Sequence, residues 1–198
     1  MLATCVVQGW PTDGYIDADH PCQRAVSDVL GWAFGIEPGS APHGIDGCGL
    51  PTYGVPLATL ARAFAVASAD PDFRRCQEAM AAHPHLVAGT GRFDTALLQL
   101  AGERVTAKIG GAAVWAAVVR PDGPGIALKL ESGYDAVAPV AVAVLQGIGV
   151  LEPAVPDPLA EFARPPLRNW AGVVVGETKV EADLAVGAAE GRWQPTRP

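Results

Sequence analysis

Three short apolar runs, Val105–Lys108, Ala113–Val119 and Ile126–Leu130, follow one another almost without interruption. Gly110-Gly111 joins the first two, and Pro121-Asp122-Gly123-Pro124-Gly125 joins the last two. A parallel crossover needs about a dozen residues or more, so links this short force an antiparallel meander. Such a sheet is stable only if something apolar covers it. Segments of helical period lie before and after it, which predicts an α+β domain with helices packed on an antiparallel sheet.

The helical segments carry their own punctuation. Met1 to Gly9 reads as the back half of a helix closed by Gly9, with no capping residue before it. Either this piece leans on the core from its first residue, or the natural protein begins earlier. Asp19 is expected to cap a helix running to Phe34, with Pro21 in its first turn, Gly35 at its end, and Cys22, Ala25, Val26, Val29, Leu30 and Ala33 as its apolar stripe. Pro56 opens a helix whose predicted inner face is Leu57, Leu60, Ala61, Phe64 and Ala65. Asp70-Pro71 caps the next one, with Phe73, Cys76, Ala79 and Met80 expected inside and Pro84 beyond its end. A short helix starts at Asp94 or Thr95 and stops at Gly102, and an apolar helix covers Val137 to Ile148. Pro153 to Pro166 reads as a proline-rich connection, Gly172 to Val180 as one more strand, and residues 186–198 as a disordered tail.

Bulk properties narrow the function. Hydrophobic residues make up 49% of the 198 and charged ones 18%, which is a folding composition rather than a disordered one. The net charge is −7 with no basic cluster, which argues against nucleic acid and anionic membranes as partners. No apolar run approaches the ~20 residues of a membrane span. Cys5, Cys22, Cys48 and Cys76 show no paired spacing and there is no leader-like start, so reduced thiols and a cytoplasmic location are expected.

The candidate chemistry gathers in two places. Gly44-Ile45-Asp46-Gly47-Cys48-Gly49-Leu50-Pro51 sets an acid and a thiol two positions apart. In an extended segment Asp46 and Cys48 would face one side, as a polar anchor or a metal corner; a tight turn with a buried cysteine is the simpler reading. Lys108-Ile109-Gly110-Gly111 puts an ammonium at a strand end beside glycines, where free N–H groups would form a binding wall; a surface lysine before a hairpin is the alternative. His43 is near enough in sequence to join the first element. His83-x-His85 is a weak metal signal, since Pro84 marks a helix end. Arg92 and Asp94 would pair with each other or cap a helix.

In chain order, Asp46-Gly47-Cys48, the run Val87-Ala88-Gly89-x-x-Arg92-x-Asp94-Thr95, Lys108-Ile109-Gly110, Lys129-x-Glu131-x-Gly133 and Asn169-Trp170-Ala171-Gly172 resemble the class 3, or rhizobial-type, L-asparaginases, the asparaginase II family. The resemblance runs from Met1 to about Gly176 and implies a serine β-lactamase or penicillin-binding-protein-like fold, a mainly antiparallel sheet flanked by helices. It implies hydrolysis of L-asparagine to aspartate and ammonia by a serine in a Ser-x-x-Lys motif. It implies further that Asp46 holds the substrate ammonium, that Lys108, Gly110 and Gly111 form the pocket wall, that Cys48 is one ligand of a zinc ion, and that the protein is a homodimer.

The chain departs from that pattern. Of Ser27, Ser40, Ser68 and Ser132, none has a lysine three residues on, and no GxSxG is present. By the resemblance Met1 is an internal methionine, so residues 1–185 are expected to be the C-terminal two-thirds of an asparaginase-like domain, with the Ser-x-x-Lys pair and two further zinc ligands outside this chain. Gly111-Ala112-Ala113 replaces the family's Ala-Glu-Gly, and Asp135-Ala136 replaces its Arg-Ala. Two other readings therefore stand beside the enzyme: a catalytically inactive relative that binds an amino acid or metal, and a cysteine hydrolase using Cys48 with His43. An incomplete fold further predicts exposed apolar surface, with this chain alone marginally stable or associating.

Overall fold

The computed structural model describes residues 1–131 and 133–181. In chain order the elements are α1 (Leu2–Gln8), α2 (Pro21–Phe34), β1 (His43–Ile45), β2 (Pro51–Tyr53), α3 (Leu57–Ser68), α4 (Pro71–Ala82), α5 (Pro84–Ala88) and α6 (Phe93–Ala101). Then come β3 (Val105–Ile109), β4 (Val114–Val119), β5 (Gly125–Lys129), α7 (Val137–Gly147), α8 (Leu159–Ala163), β6 (Pro166–Arg168) and β7 (Val174–Glu177). The expected tail over 186–198 lies outside the described residues. Among the described residues, no helix is long and apolar enough to cross a membrane.

The meander forms as its links dictate. The order is β3-β4-β5, all antiparallel, with Lys108 opposite Ala116 and Val114 opposite Lys129. Side chains of a strand alternate between faces. Val105, Ala107, Trp115 and Ala117 therefore share one face, where they join Leu97, Val137, Ala141, Leu145 and Leu159 of α6, α7 and α8 in the main core. Ala116 and Val118 turn to the other face, where α3 lies on β4 and β5. Both sides of β4 are covered, which is why it reads as a continuous apolar run rather than an alternating one. The approach of α3 to β5 depends on Gly125: a Cβ there would lie 1.8 Å from the Ala61 carbonyl oxygen.

One buried carboxylate ties the layers together. Asp94 is 1% exposed; its Oδ2 accepts the Ile109 N–H at 2.6 Å and its Oδ1 accepts Trp115 Nε1–H at 3.0 Å. It thus anchors the first turn of α6 to the ends of β3 and β4, rather than pairing with Arg92 or capping its own helix.

Several local expectations are corrected. His20, not Asp19, caps α2: its Nδ1 accepts the Cys22 N–H at 3.1 Å, directly before Pro21. The buried residues of α3 are Thr59, Ala63, Val66, Ala67 and Ser68, not the predicted Leu57 face, because a helix apolar nearly all round leaves its orientation to its neighbours. In α4, Cys76 and Ala79 are exposed and Gln77 is buried, within 3.5 Å of the Ser68 hydroxyl. Phe73 does pack inward, on Trp32, with ring centroids 6.0 Å apart. The proline-rich connection contains α8. The last strand pairs with β6 in a separate hairpin and not with the central sheet. The architecture is α+β, with helices around small antiparallel sheets.

Candidate functional site

The acid–thiol element is a hairpin loop, not an extended piece. β1 and β2 pair from His43–Tyr53 to Ile45–Pro51, and residues 46–50 turn between them. Asp46 Oδ1 accepts the N–H groups of Cys48 at 2.8 Å and Leu50 at 2.9 Å, the local bonding that makes aspartate a turn residue. Among the described residues, no hydrogen bond uses its Oδ2, so one oxygen orients the loop while the other has no bonded partner. Cys48 is a free, exposed thiol in the same loop, which corrects the expectation of a buried cysteine. His43 stands at the opposite end of the hairpin, its Nδ1 3.3 Å from the Ala41 carbonyl oxygen. No Cys48–His43 pair forms, and the cysteine-hydrolase arrangement is absent.

The lysine–glycine element ends β3. Lys108 is exposed, and its Nζ donates to the Ile109 carbonyl at 2.7 Å. The Gly110 N–H donates to the Val114 carbonyl at 2.8 Å, closing the hairpin, so it is not a free oxyanion donor. The reversal itself occurs at Ala112 and Ala113, with φ of 52° and 57°. Two L-residues in the left-handed region carry strain that glycine would not. Lys129 opens the Lys129-x-Glu131-x-Gly133 run. It lies across β4 from Lys108 on the same face of the sheet, and its Nζ donates to the carbonyls of Ala112 and Leu130, the latter at 3.0 Å. Strand register, which brings residues 108 and 129 to one corner, was the signal that could have found it.

A cavity of about 330 Å³ lies on the opposite face of this strand end. Ile109 lines it together with Gly91, Arg92, Phe93 and Asp94 at the start of α6, and with Tyr134 and Asp135. A second cavity of about 330 Å³ lies between α7, α8 and Lys179–Glu181. Asp46, Cys48, Lys108, Gly110 and Gly111 line neither.

A family model described as L-asparaginase II matches residues 1–180. The chain belongs to the asparaginase II family. No curated protein matches it significantly. Membership supports an asparaginase-like amidohydrolase with a small-molecule amide as substrate.

Three of the serines of this asparaginase II chain, all among the described residues, have structural partners. Ser27 Oγ is 2.5 Å from the Tyr53 hydroxyl, Ser40 Oγ donates to the Glu37 carbonyl at 2.7 Å, and Ser68 meets Gln77. A structural or catalytic zinc needs three or four protein ligands. Among the described residues, no three His, Cys, Asp or Glu side chains cluster to hold a metal. Cys48 is a single thiol whose neighbour Asp46 is bonded to the loop backbone. The described residues do not fit a zinc site by themselves.

Proposed function

We propose that this protein is the substrate-holding part of an L-asparaginase that hydrolyses L-asparagine to L-aspartate and ammonia, with the serine nucleophile supplied from outside these 198 residues. The observation that carries this reading is the family match over residues 1–180 in a chain that has no Ser-x-x-Lys of its own. Asp46, through the Oδ2 that bonds no described residue, accepts the substrate ammonium. Lys108 holds the α-carboxylate at the end of β3, and the Gly110-Gly111 backbone forms one wall of a pocket that is completed by the segment carrying the serine. The serine oxygen attacks the side-chain amide carbon, ammonia leaves with the transferred proton, and water then releases aspartate from the acyl-enzyme. Cys48 is a zinc ligand in this reading only if the remaining ligands come from the same outside source as the serine.

The test is ammonia release from L-asparagine by the protein isolated from its own cells, together with its intact mass. A mass above 20.4 kDa puts the Ser-x-x-Lys in the same polypeptide. Asp46→Asn and Lys108→Met are each expected to lower kcat/KM about 100-fold, since each removes one charged contact to the substrate. A folded protein that carries a Ser-x-x-Lys pair and releases no ammonia from asparagine overturns the reading, and leaves the inactive relative in its place.

A further inference from the structure

We propose that the cavity at the start of α6 binds an α-amino acid with an apolar side chain, taking its carboxylate on Arg92 and its ammonium on Asp135. The cavity, about 330 Å³, is at the small end of ligand pockets, which suits an amino acid better than a nucleotide. Arg92 and Asp135 both line it, and among the described residues neither side chain forms an ion pair or hydrogen bond. Two opposite charges that line one cavity without pairing match a zwitterion. A dianion would be repelled by Asp135, and a polyamine by Arg92.

The backbone reinforces the anionic end. α6 is nine residues long, begins within the cavity lining, and has no side-chain cap, so the N–H groups of its first turn and its dipole favour a carboxylate beside Arg92. Asp94 is withdrawn from the cavity as an acidic partner, because it is 1% exposed and its oxygens are turned to Ile109 N–H and Trp115 Nε1–H. Tyr134, the neighbour of Asp135 in the chain, also lines the cavity. The remaining wall includes Phe93, Val137 and Phe162, an apolar surface for a leucine-sized side chain. Ile109 reaches this cavity while Lys108, its neighbour in the strand, turns to the other face of the sheet, so the site is separate from the Asp46 and Lys108 elements. Its occupancy does not depend on asparagine hydrolysis.

The experiment is isothermal titration of the 198-residue protein with L-leucine, N-acetyl-L-leucine and L-leucinamide. L-leucine is expected to bind, and each blocked form at least tenfold more weakly, since one lacks the ammonium and the other the carboxylate. Arg92→Gln and Asp135→Asn are each expected to weaken L-leucine binding at least tenfold while the thermal unfolding midpoint stays unchanged. Absence of heat with L-leucine, equal binding of the blocked forms, or unaltered affinity in both variants overturns the proposal.

Discussion

Asp94 shows how one side chain sets the geometry around a site. Its carboxylate satisfies the Ile109 N–H and the Trp115 indole in a setting that is 1% exposed. Asp94→Asn keeps one acceptor and turns an N–H group toward a donor, so a buried N–H loses its partner. We expect a loss of about 2 kcal/mol in urea unfolding, in the range for hydrogen bonds to charged groups and for unmet buried donors. A change under ~0.5 kcal/mol, the size of an ordinary surface substitution, would show that the two bonds do not hold the strand ends. The sequence pointed to Arg92 or the helix start as partners of Asp94 because those are its near neighbours. The true partners are 15 and 21 residues away, and no local pattern reports them.

At the scale of elements, the position of α3 on the sheet depends on the missing side chain at Gly125. A methyl there would meet the Ala61 carbonyl oxygen at 1.8 Å, a clash that only movement of the helix relieves. Gly125→Ala should cost about 3 kcal/mol or more, the upper range for overpacking, and lower the thermal midpoint accordingly. An unchanged midpoint would mean that α3 does not lie against β5 at this point. α1 is attached differently: Cys5 is its one buried residue, and it meets Cys22 of α2. Burial first, and then the neighbouring Cys22 thiol, push the Cys5 thiol above its ordinary value of 9.0. The folded state therefore keeps a proton that the unfolded chain releases near that pH. The contribution is fully present below 9.0 and fades as pH rises through the folded value. Unfolding curves from pH 8 to 10.5 should show a decline that Cys5→Ala reduces; a decline of equal size in the variant would assign it to other groups.

At the scale of the whole molecule, apolar surface is left uncovered. In α1, Val6 and Val7 are 68% and 82% exposed. In the β6–β7 hairpin every strand residue is exposed, and Trp170 at its tip extends fully into solvent. Patches of this kind on a domain mark contact surfaces or association, and an exposed strand edge adds unpaired backbone groups. Sedimentation velocity across a tenfold range of concentration should show self-association, weakened by Val7→Gln or Trp170→Ser. A monomer at every concentration would count against the homodimer that the family resemblance implies.

The sequence by itself determined the meander, most helix boundaries and the family. Each of these rests on short-range chemistry: link length, proline and glycine at helix ends, and motifs a few residues long. The Asp46 turn, with Gly47 and Gly49 around it, belongs to the same class. Tertiary structure alone decided which side of α3 is buried, that Gln77 and not Cys76 faces inward, and that Lys108 and Lys129 share a corner. It also decided that Arg92 and Asp135, 43 positions apart, line one cavity. Those outcomes depend on packing and strand register between distant segments. A uniformly apolar helix or an isolated charge carries no local signal of the neighbour it will meet.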